Sequence, residues 1–313
     1  MKRSAVFTSS MHISIRYYVY EPQVVLRIKG IVQIHHGLGE HADRYDHFAS
    51  FLSSHGFVVV VSDFAGHGRS LIDFEQGYFG EHDGPAHLIE DMHHLQMIIR
   101  ELYPDSPYFM LGIDLGSILI RKYMSAFGDF IEGAILLGTP SQVDFLYLKC
   151  IYLRLLKMWK GPLYKAQQYS RYVRNHFNKR VQMSDEMDWL TSDVSEKKKF
   201  LEDPMAHFAY TVQGYRDIIH TIQEVNHEKS IMKIPSYLSV YIGIGENDPM
   251  GVHIKKLVEK YKKIPIEDLT LEIFDGQRHA LLFEKEKRRF IIIYYNGLMR
   301  EHIYRVHSSL VDK

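Results

Sequence analysis

Three side chains concentrate the chemical potential of this 313-residue chain: Asp114, Asp248 and His279. Asp114 is the centre of Gly112-Ile113-Asp114-Leu115-Gly116, between an apolar run from Tyr108 to Leu111 and a stretch of helical periodicity. A G-x-nucleophile-x-G pattern at a strand-to-helix corner exposes its central side chain above a sheet, and serine is the usual occupant. An aspartate there changes the chemistry. Its attack on an ester gives a tetrahedral adduct that expels carboxylate more readily than alkoxide, so the adduct reverts, and productive collapse would leave an anhydride. Attack on the saturated carbon of an epoxide or alkyl halide gives an alkyl ester that water activated by His279 can hydrolyse. Without a covalent step, Asp114 or His279 can serve as general base on water. A fourth outcome is silence: a carboxylate at a helix start, paired with His279, leaves a pocket that binds without turnover. Ser117 lies one turn into the helix, pointing away from the corner, and is rejected as a substitute nucleophile.

These residues need a scaffold, and the chain spells one out. Continuous apolar strands are expected at Gly30 to Ile34, Phe57 to Val61, Tyr108 to Leu111 and Gly133 to Leu137. Helical periodicity separates them, over Asp43 to His55, over 87–102 and from about Leu115. Such alternation implies a mostly parallel sheet with helices on both faces. The alternating segments His12 to Tyr17 and Tyr18 to Tyr20 read as antiparallel strands. The pattern resumes with a strand from Ser239 to Gly243, a helix near 251–263, a strand at 269–274 and a final helix at 284–303. Asp248 follows the first of these strands and precedes a proline, where an aspartate also commonly caps a helix. His279 falls in the loop after the second.

Between these halves, 141–231 reads as helical with no convincing strand. The chain therefore divides into a core of 1–140 with 232–313 and a helical lid insertion of 141–231. From Lys149 to Arg180 every charged residue is basic. Phe145, Leu148, Ile151, Leu155, Met158 and Trp159 recur at helical spacing through this stretch. A basic amphipathic helix can lie on an anionic membrane surface. The plainer expectation is a lid helix whose apolar face packs over the sheet.

Five ordered pieces carry a resemblance: HHGLGEHADRYDHFASFL, VVVVSDFAGHGRS, the corner at 112–116, IGENDP at 244–249 and FDGQRHALLFE at 274–284. Together with DWL at 188–190 and EDPMAHF at 202–208, they make the chain resemble the monoacylglycerol lipase and lysophospholipase group of α/β-hydrolases. The resemblance implies an α/β-hydrolase fold and action on small lipid-like esters. It implies that the backbone N–H groups of Leu38 and Leu115 form an oxyanion hole in a loop with His36 and Gly37. It also implies that Asp248 orients His279. His36 and the Gly66-His67-Gly68 turn read as structural, and His35 as a strand-end core residue. Glu246 and Asp275 read as solvated loop carboxylates.

The corner departs from the group, which usually carries G-H-S-M-G; Ile113 and Asp114 differ, and Ala280 follows His279 where the group is often acidic. Dehalogenases and epoxide hydrolases typically carry G-H-D-W-G, and Leu115 lacks the tryptophan donor. Epoxide opening would need lid hydroxyls, and Tyr147, Tyr152, Tyr164, Tyr169, Tyr172, Tyr210 and Tyr215 read first as packing residues.

Composition narrows the partners. Formal charge is zero with 46% apolar residues, which predicts a globular protein with no nucleic-acid partner. The one cysteine, Cys150, reads as buried and fits a reducing cytoplasm. The first residues lack a continuous apolar h-region, so no signal peptide is expected. No cofactor, metal site or phosphate loop is implied.

Overall fold

The computed structural model describes residues 1–285 apart from 24–26, 74, 144, 182–186, 265 and 267. The expected closing helix at 284–303 thus lies almost wholly outside the described residues. Eight strands form one sheet: β1 (Lys2–Thr8), β2 (Ser14–Tyr20), β3 (Gly30–His35), β4 (Phe57–Ser62), β5 (Tyr108–Ile113), β6 (Gly133–Leu137), β7 (Ser239–Gly245) and β8 (Leu269–Phe274). Their order is β1-β2-β4-β3-β5-β6-β7-β8. β1 and β2 join antiparallel, and every pairing from β4 onward is parallel.

Parallel strands buried on both faces need apolar residues at every position, and β4 (FVVVVS) supplies them. Val58 and Val60 enter one core while Val59 and Val61 enter the other. The first core also takes α2 (Gly84–Leu102) and α3 (Leu115–Phe127), and the second takes α1 (Asp46–Ser54). The expected α/β architecture with helices on both faces is therefore present.

One early expectation fails. Residues 12–20 do not form two strands; β2 is a single strand, paired antiparallel with β1 on one side and β4 on the other. No apolar pattern announces β1, because it is an edge strand with only Phe7 buried, so KRSAVFT needs no apolar alternation.

Between β6 and β7 the described chain forms α4 (Leu146–Lys160), α5 (Gln167–Arg180), α6 (Val194–Glu202), α7 (Val212–Val225) and the short α8 (Glu228–Ile231). α9 (Ile254–Tyr261) follows β7. α7 is the most buried of the inserted helices, and its Ile218, Ile219 and Ile222 join the first core. Arg121 on α3 is 1% exposed and ties this region to the sheet domain. Its guanidinium donates to Pro140 O (2.8 Å), Val225 O (3.1 Å) and Asn226 Oδ1 (2.8 Å).

α4 turns the opposite way from the plainer expectation. Phe145, Leu148, Leu155, Met158 and Trp159 are exposed, Trp159 by 76%. The packed face is Leu153, with Leu146, partly buried Cys150 and Leu156 beside it. FLYLKCIYLRLLKMW is apolar on nearly every side, so periodicity alone cannot choose the inward face.

The corner after β5 depends on absent side chains. A Cβ on Gly116 would lie 2.2 Å from His35 O, and one on Gly112 would lie 2.4 Å from the Gly116 carbonyl carbon. Neither contact can relax by rotating a side chain. Gly116→Ala is expected to cost about 3 kcal/mol of stability, because backbone must move to admit the methyl. Urea unfolding checks this, and an unchanged midpoint would show that α3 does not sit against β3 this closely.

Candidate active site

Asp114 occupies the tip of the corner with φ 48° and ψ −110°, a left-handed conformation unfavourable for any residue with a Cβ. The strand ladder and loop hold it there: its N–H donates to Leu137 O (2.9 Å) and the Gly116 N–H donates to His36 O (3.1 Å). The residue is 5% exposed. It does not cap α3, although that helix begins at the next residue. Instead Oδ2 accepts a hydrogen bond from the Leu38 backbone N–H at 3.2 Å. The elbow carboxylate therefore sits on one of the two donors expected to form an oxyanion hole. Leu115, the other, is the first residue of α3, whose opening N–H groups have no partner inside the helix.

The expected trio converges. His279 Nδ1 donates to Asp248 Oδ2 at 2.9 Å, and His279 Nε2 lies 3.8 Å from Asp114 Oδ2. Asp248 also fills the capping role, because its Oδ1 accepts from Met250 N at 2.8 Å. Its two oxygens divide the work. His279 is 2% exposed, and its Nε2 is buried without a hydrogen-bond partner. A buried polar atom left open in this way is a place for an incoming group.

Burial alone would depress the imidazole pKa, but Asp248 and then Asp114 outweigh it and lift His279 to about 10. Both carboxylates thus favour the protonated ring over the neutral one. Sequence position shows the pairing but not this protonation state, which needs the distances.

A brace holds the loop that supplies Leu38. Gly37 N–H donates to Glu40 Oε2 (3.2 Å), which also accepts from Tyr45 Oη, while Arg44 Nε lies 3.3 Å from Glu40 Oε1. The Gly39 N–H donates to Tyr210 Oη at 2.8 Å. His67 Nε2 bonds the same hydroxyl, and burial pushes the His67 pKa down to about 3. His36 accepts from Phe64 N–H (3.0 Å) through Nε2 and contacts its own loop through Nδ1, a packing role. His35 is fully buried with neither ring nitrogen bonded, stacked on Phe64. Ser117 donates back to Asp114 O at 2.6 Å, away from the tip.

Sequence reasoning missed several supporting residues. Glu40 and Tyr45 lie inside the quoted loop but carried no chemical signal of their own. Tyr210 appeared only among tyrosines read as packing. Trp189, within the DWL piece, lies 5.1 Å from the His279 ring, and its carbonyl accepts from the His279 N–H at 3.4 Å. Gly138 is needed because a Cβ there would lie 2.7 Å from His279 Cε1.

Two hollows meet at Asp114 and Leu38. A chamber of about 70 Å³ touches Asp114, His279 and Trp189. A larger cavity of about 420 Å³ runs from Asp114 between α5 and α7. Among the described residues no cluster of histidine, cysteine or carboxylate side chains could hold a metal ion.

Known proteins carry the same organisation. The chain is 36% identical over 96 residues to a monoglyceride lipase homolog of monkeypox virus, covering 29% of this chain. It spans only 31% of that relative. Monoglyceride lipase of Rattus norvegicus is 30% identical over 269 residues, covering 81% of this chain and 76% of the rat protein. A thermostable carboxyl esterase from Bacillus coagulans, solved with glycerol, superposes with a TM-score of 0.84 at 25% identity, covering 95% and 98% of the two chains. The hydrolase family profile described as serine aminopeptidase, S33 matches residues 27–286. Extending from the loop before β3 past His279, that match means that the chain belongs to this α/β-hydrolase family, with monoglyceride lipases among its relatives.

Proposed function

We propose that this chain is a hydrolase of small lipid-like esters, of the monoglyceride-lipase type, in which a carboxylate replaces the serine nucleophile and works as a general base. The observation that carries the reading is an apolar cavity opening onto Asp114, the Leu38 N–H and His279 together. The relatives' printed activities support the substrate class. The raised pKa of His279 supports an inverted division of labour: Asp114 is the base and the imidazolium is the acid.

The steps balance. Asp114 takes a proton from water in the small chamber, which has room for roughly two molecules. The resulting hydroxide attacks the ester carbonyl, whose oxygen takes the Leu38 N–H that Asp114 Oδ2 releases. His279 Nε2 gives its proton to the departing alkoxide while Asp248 holds the ring. Acid and alcohol leave, and the proton on Asp114 returns to His279 across the 3.8 Å gap. Because the carboxylate must first yield the oxyanion donor, turnover is slow relative to a serine-based site.

A second reading rests on one contact. The Leu38 N–H orients Asp114 Oδ2 and leaves Oδ1 to attack the saturated carbon of an epoxide or alkyl halide. Intact-mass analysis of His279→Gln after exposure to such compounds separates the two. An alkylated Asp114 supports the covalent route, and an unmodified chain leaves the general-base route. A silent ligand-binding protein is the outcome if neither chemistry is seen.

The exposed face of α4 supports a membrane contact. Phe145, Leu148, Leu155, Met158 and Trp159 are exposed apolar side chains, with the exposed Arg154 and Lys160 on the same helix. Apolar side chains beside cationic ones suit an anionic bilayer surface. No described helix is long and apolar enough to cross a membrane.

Asp114→Asn keeps the shape and removes the base, so ester turnover is expected to fall about 100-fold or more. Asp114→Ser should react with a fluorophosphonate probe, while the native chain stays unlabelled; strong labelling of the native chain would overturn this account. In the pH profile, His279 must be protonated to act as acid. Activity should therefore persist through pH 8 and fall as pH rises through about 10. A serine-type profile, rising as the imidazole deprotonates near neutrality, would sink the inverted roles. For the membrane contact, Leu155→Ser with Trp159→Ser should release the protein from anionic vesicles, read by co-sedimentation. Binding that ignores both substitutions and salt would remove it.

A further inference from the structure

One peptide plane carries the Leu38 N–H, and the planes on either side of it are pinned by different parts of the fold. The preceding plane is held through the Gly37 N–H, which donates to Glu40 Oε2 at 3.2 Å. The following plane is held through the Gly39 N–H, which donates to Tyr210 Oη at 2.8 Å. Tyr210 is 1% exposed and lies between α6 and α7. The next peptide group is held from the same segment, because Gly39 O accepts from the His207 backbone N–H at 3.0 Å. At rest the Leu38 N–H meets Asp114 Oδ2 at 3.2 Å. Once that carboxylate moves, the aim of the Leu38 N–H depends on the two neighbouring planes.

His67 fixes the direction of the Tyr210 hydroxyl. His67 is fully buried, and burial pushes its pKa down to about 3, so the ring is neutral and carries a single N–H. Its Nδ1 lies 3.2 Å from Ala65 O, a carbonyl that can only accept, so the proton is on Nδ1. Nε2 then offers a lone pair, which takes the hydrogen of the Tyr210 hydroxyl. The oxygen lone pairs of Tyr210 are left to face the Gly39 N–H. We infer that Tyr210 is a positioning residue for the oxyanion donor: His67 orients its hydroxyl, its oxygen holds the Gly39 N–H, and that hold keeps the Leu38 N–H aimed at the corner when Asp114 withdraws. A donor set in place beforehand has no reorganisation to undergo during reaction. The ring of Tyr210 does not supply this. Phe79, Phe208 and Tyr215 pack around it with centroids 5.8, 5.3 and 5.6 Å away, and those contacts do not involve the oxygen. The inference rests on the proposed function only in taking the Leu38 N–H as the group that a substrate oxygen meets.

Tyr210→Phe keeps the ring and removes the oxygen, and hydrogen exchange followed by NMR on the full chain tests the hold directly. Relative to the β4 amides of Val58 to Val61, the Gly39 amide should exchange about tenfold faster in this variant than in the native chain. An unchanged ratio, or a Gly39 amide that already exchanges freely in the native chain, would overturn the inference. Ester turnover reads the consequence. kcat should fall about tenfold with KM nearly unchanged, because the donor acts on the oxyanion more than on the bound ester. A loss carried by KM alone would mean that Tyr210 shapes the pocket and does not position the donor. The single variant also leaves His67 Nε2 buried without a donor, which costs stability. Tyr210→Phe/His67→Phe removes that orphaned nitrogen. Its urea midpoint should recover in part, while Gly39 exchange and kcat stay at the single-variant values. Recovery of kcat along with the midpoint would refute the positioning role. The two readouts keep this inference apart from the hydrolase assignment. If the native chain turns over no ester, that assignment falls and Gly39 exchange still decides whether Tyr210 sets the loop. If turnover proceeds and Gly39 exchange ignores Tyr210→Phe, only the positioning role falls.

Discussion

A buried histidine set between two carboxylates is the interaction on which the candidate site depends. His279 is closed off from solvent, so an unpaired charge there would be costly, and Asp248 and Asp114 are what make it tolerable. The two partners are not equivalent. Asp248 is in hydrogen-bond contact at 2.9 Å, whereas Asp114 acts across 3.8 Å by Coulomb attraction. The near partner fixes the ring by a hydrogen bond that the far one does not make. The same arrangement couples stability to pH. A pKa raised from 6.5 to about 10 means that the folded state gains fully below the lower value. The gain disappears as pH rises through the upper one.

The interaction exists only because distant segments are clamped together. Asp114 is thrust forward by a left-handed backbone and by glycines that let α3 lie against the end of β3. The Leu38 loop is fixed from below by Glu40 and Tyr45 and from above by Tyr210, which belongs to the inserted region. The His279 loop is likewise gripped from that region. Ala280 N–H donates to Leu190 O at 2.8 Å, and Arg278 Nη1 donates to Thr191 O at 3.1 Å. The inserted region is therefore structural support for the site.

Legibility in the sequence followed burial. The central strands were readable because a parallel sheet covered on both faces demands uninterrupted apolar runs, and Val58 to Val61 could serve no other purpose. β1 was unreadable because an edge strand is released from that demand. Asp114, Asp248 and His279 were readable from order and from the strand ends they follow. The direction of α4 was not, since a helix apolar on most sides has no preferred face until its neighbours are known. Nor could any pattern show that the Asp114 carboxylate would turn to the Leu38 N–H instead of capping its own helix. That choice depends on a loop 76 residues away in sequence.

The oxyanion loop and the elbow carboxylate raise a question of electrostatic matching. An oxyanion hole is a set of N–H dipoles aimed at negative charge that appears only during reaction. Here the Asp114 carboxylate already meets one of the two N–H groups expected to form such a hole, that of Leu38. Catalysis rests on interactions stronger in the transition state than before it. A donor already engaged by Asp114 contributes only the difference between holding that carboxylate and holding an ester oxyanion. The Leu38 N–H, Asp248 and His279 converge on one corner, and the residue at 114 already occupies the first of them. Ester hydrolysis of the kind proposed must therefore begin by moving that carboxylate, whereas attack by Oδ1 on a saturated carbon would leave the contact in place.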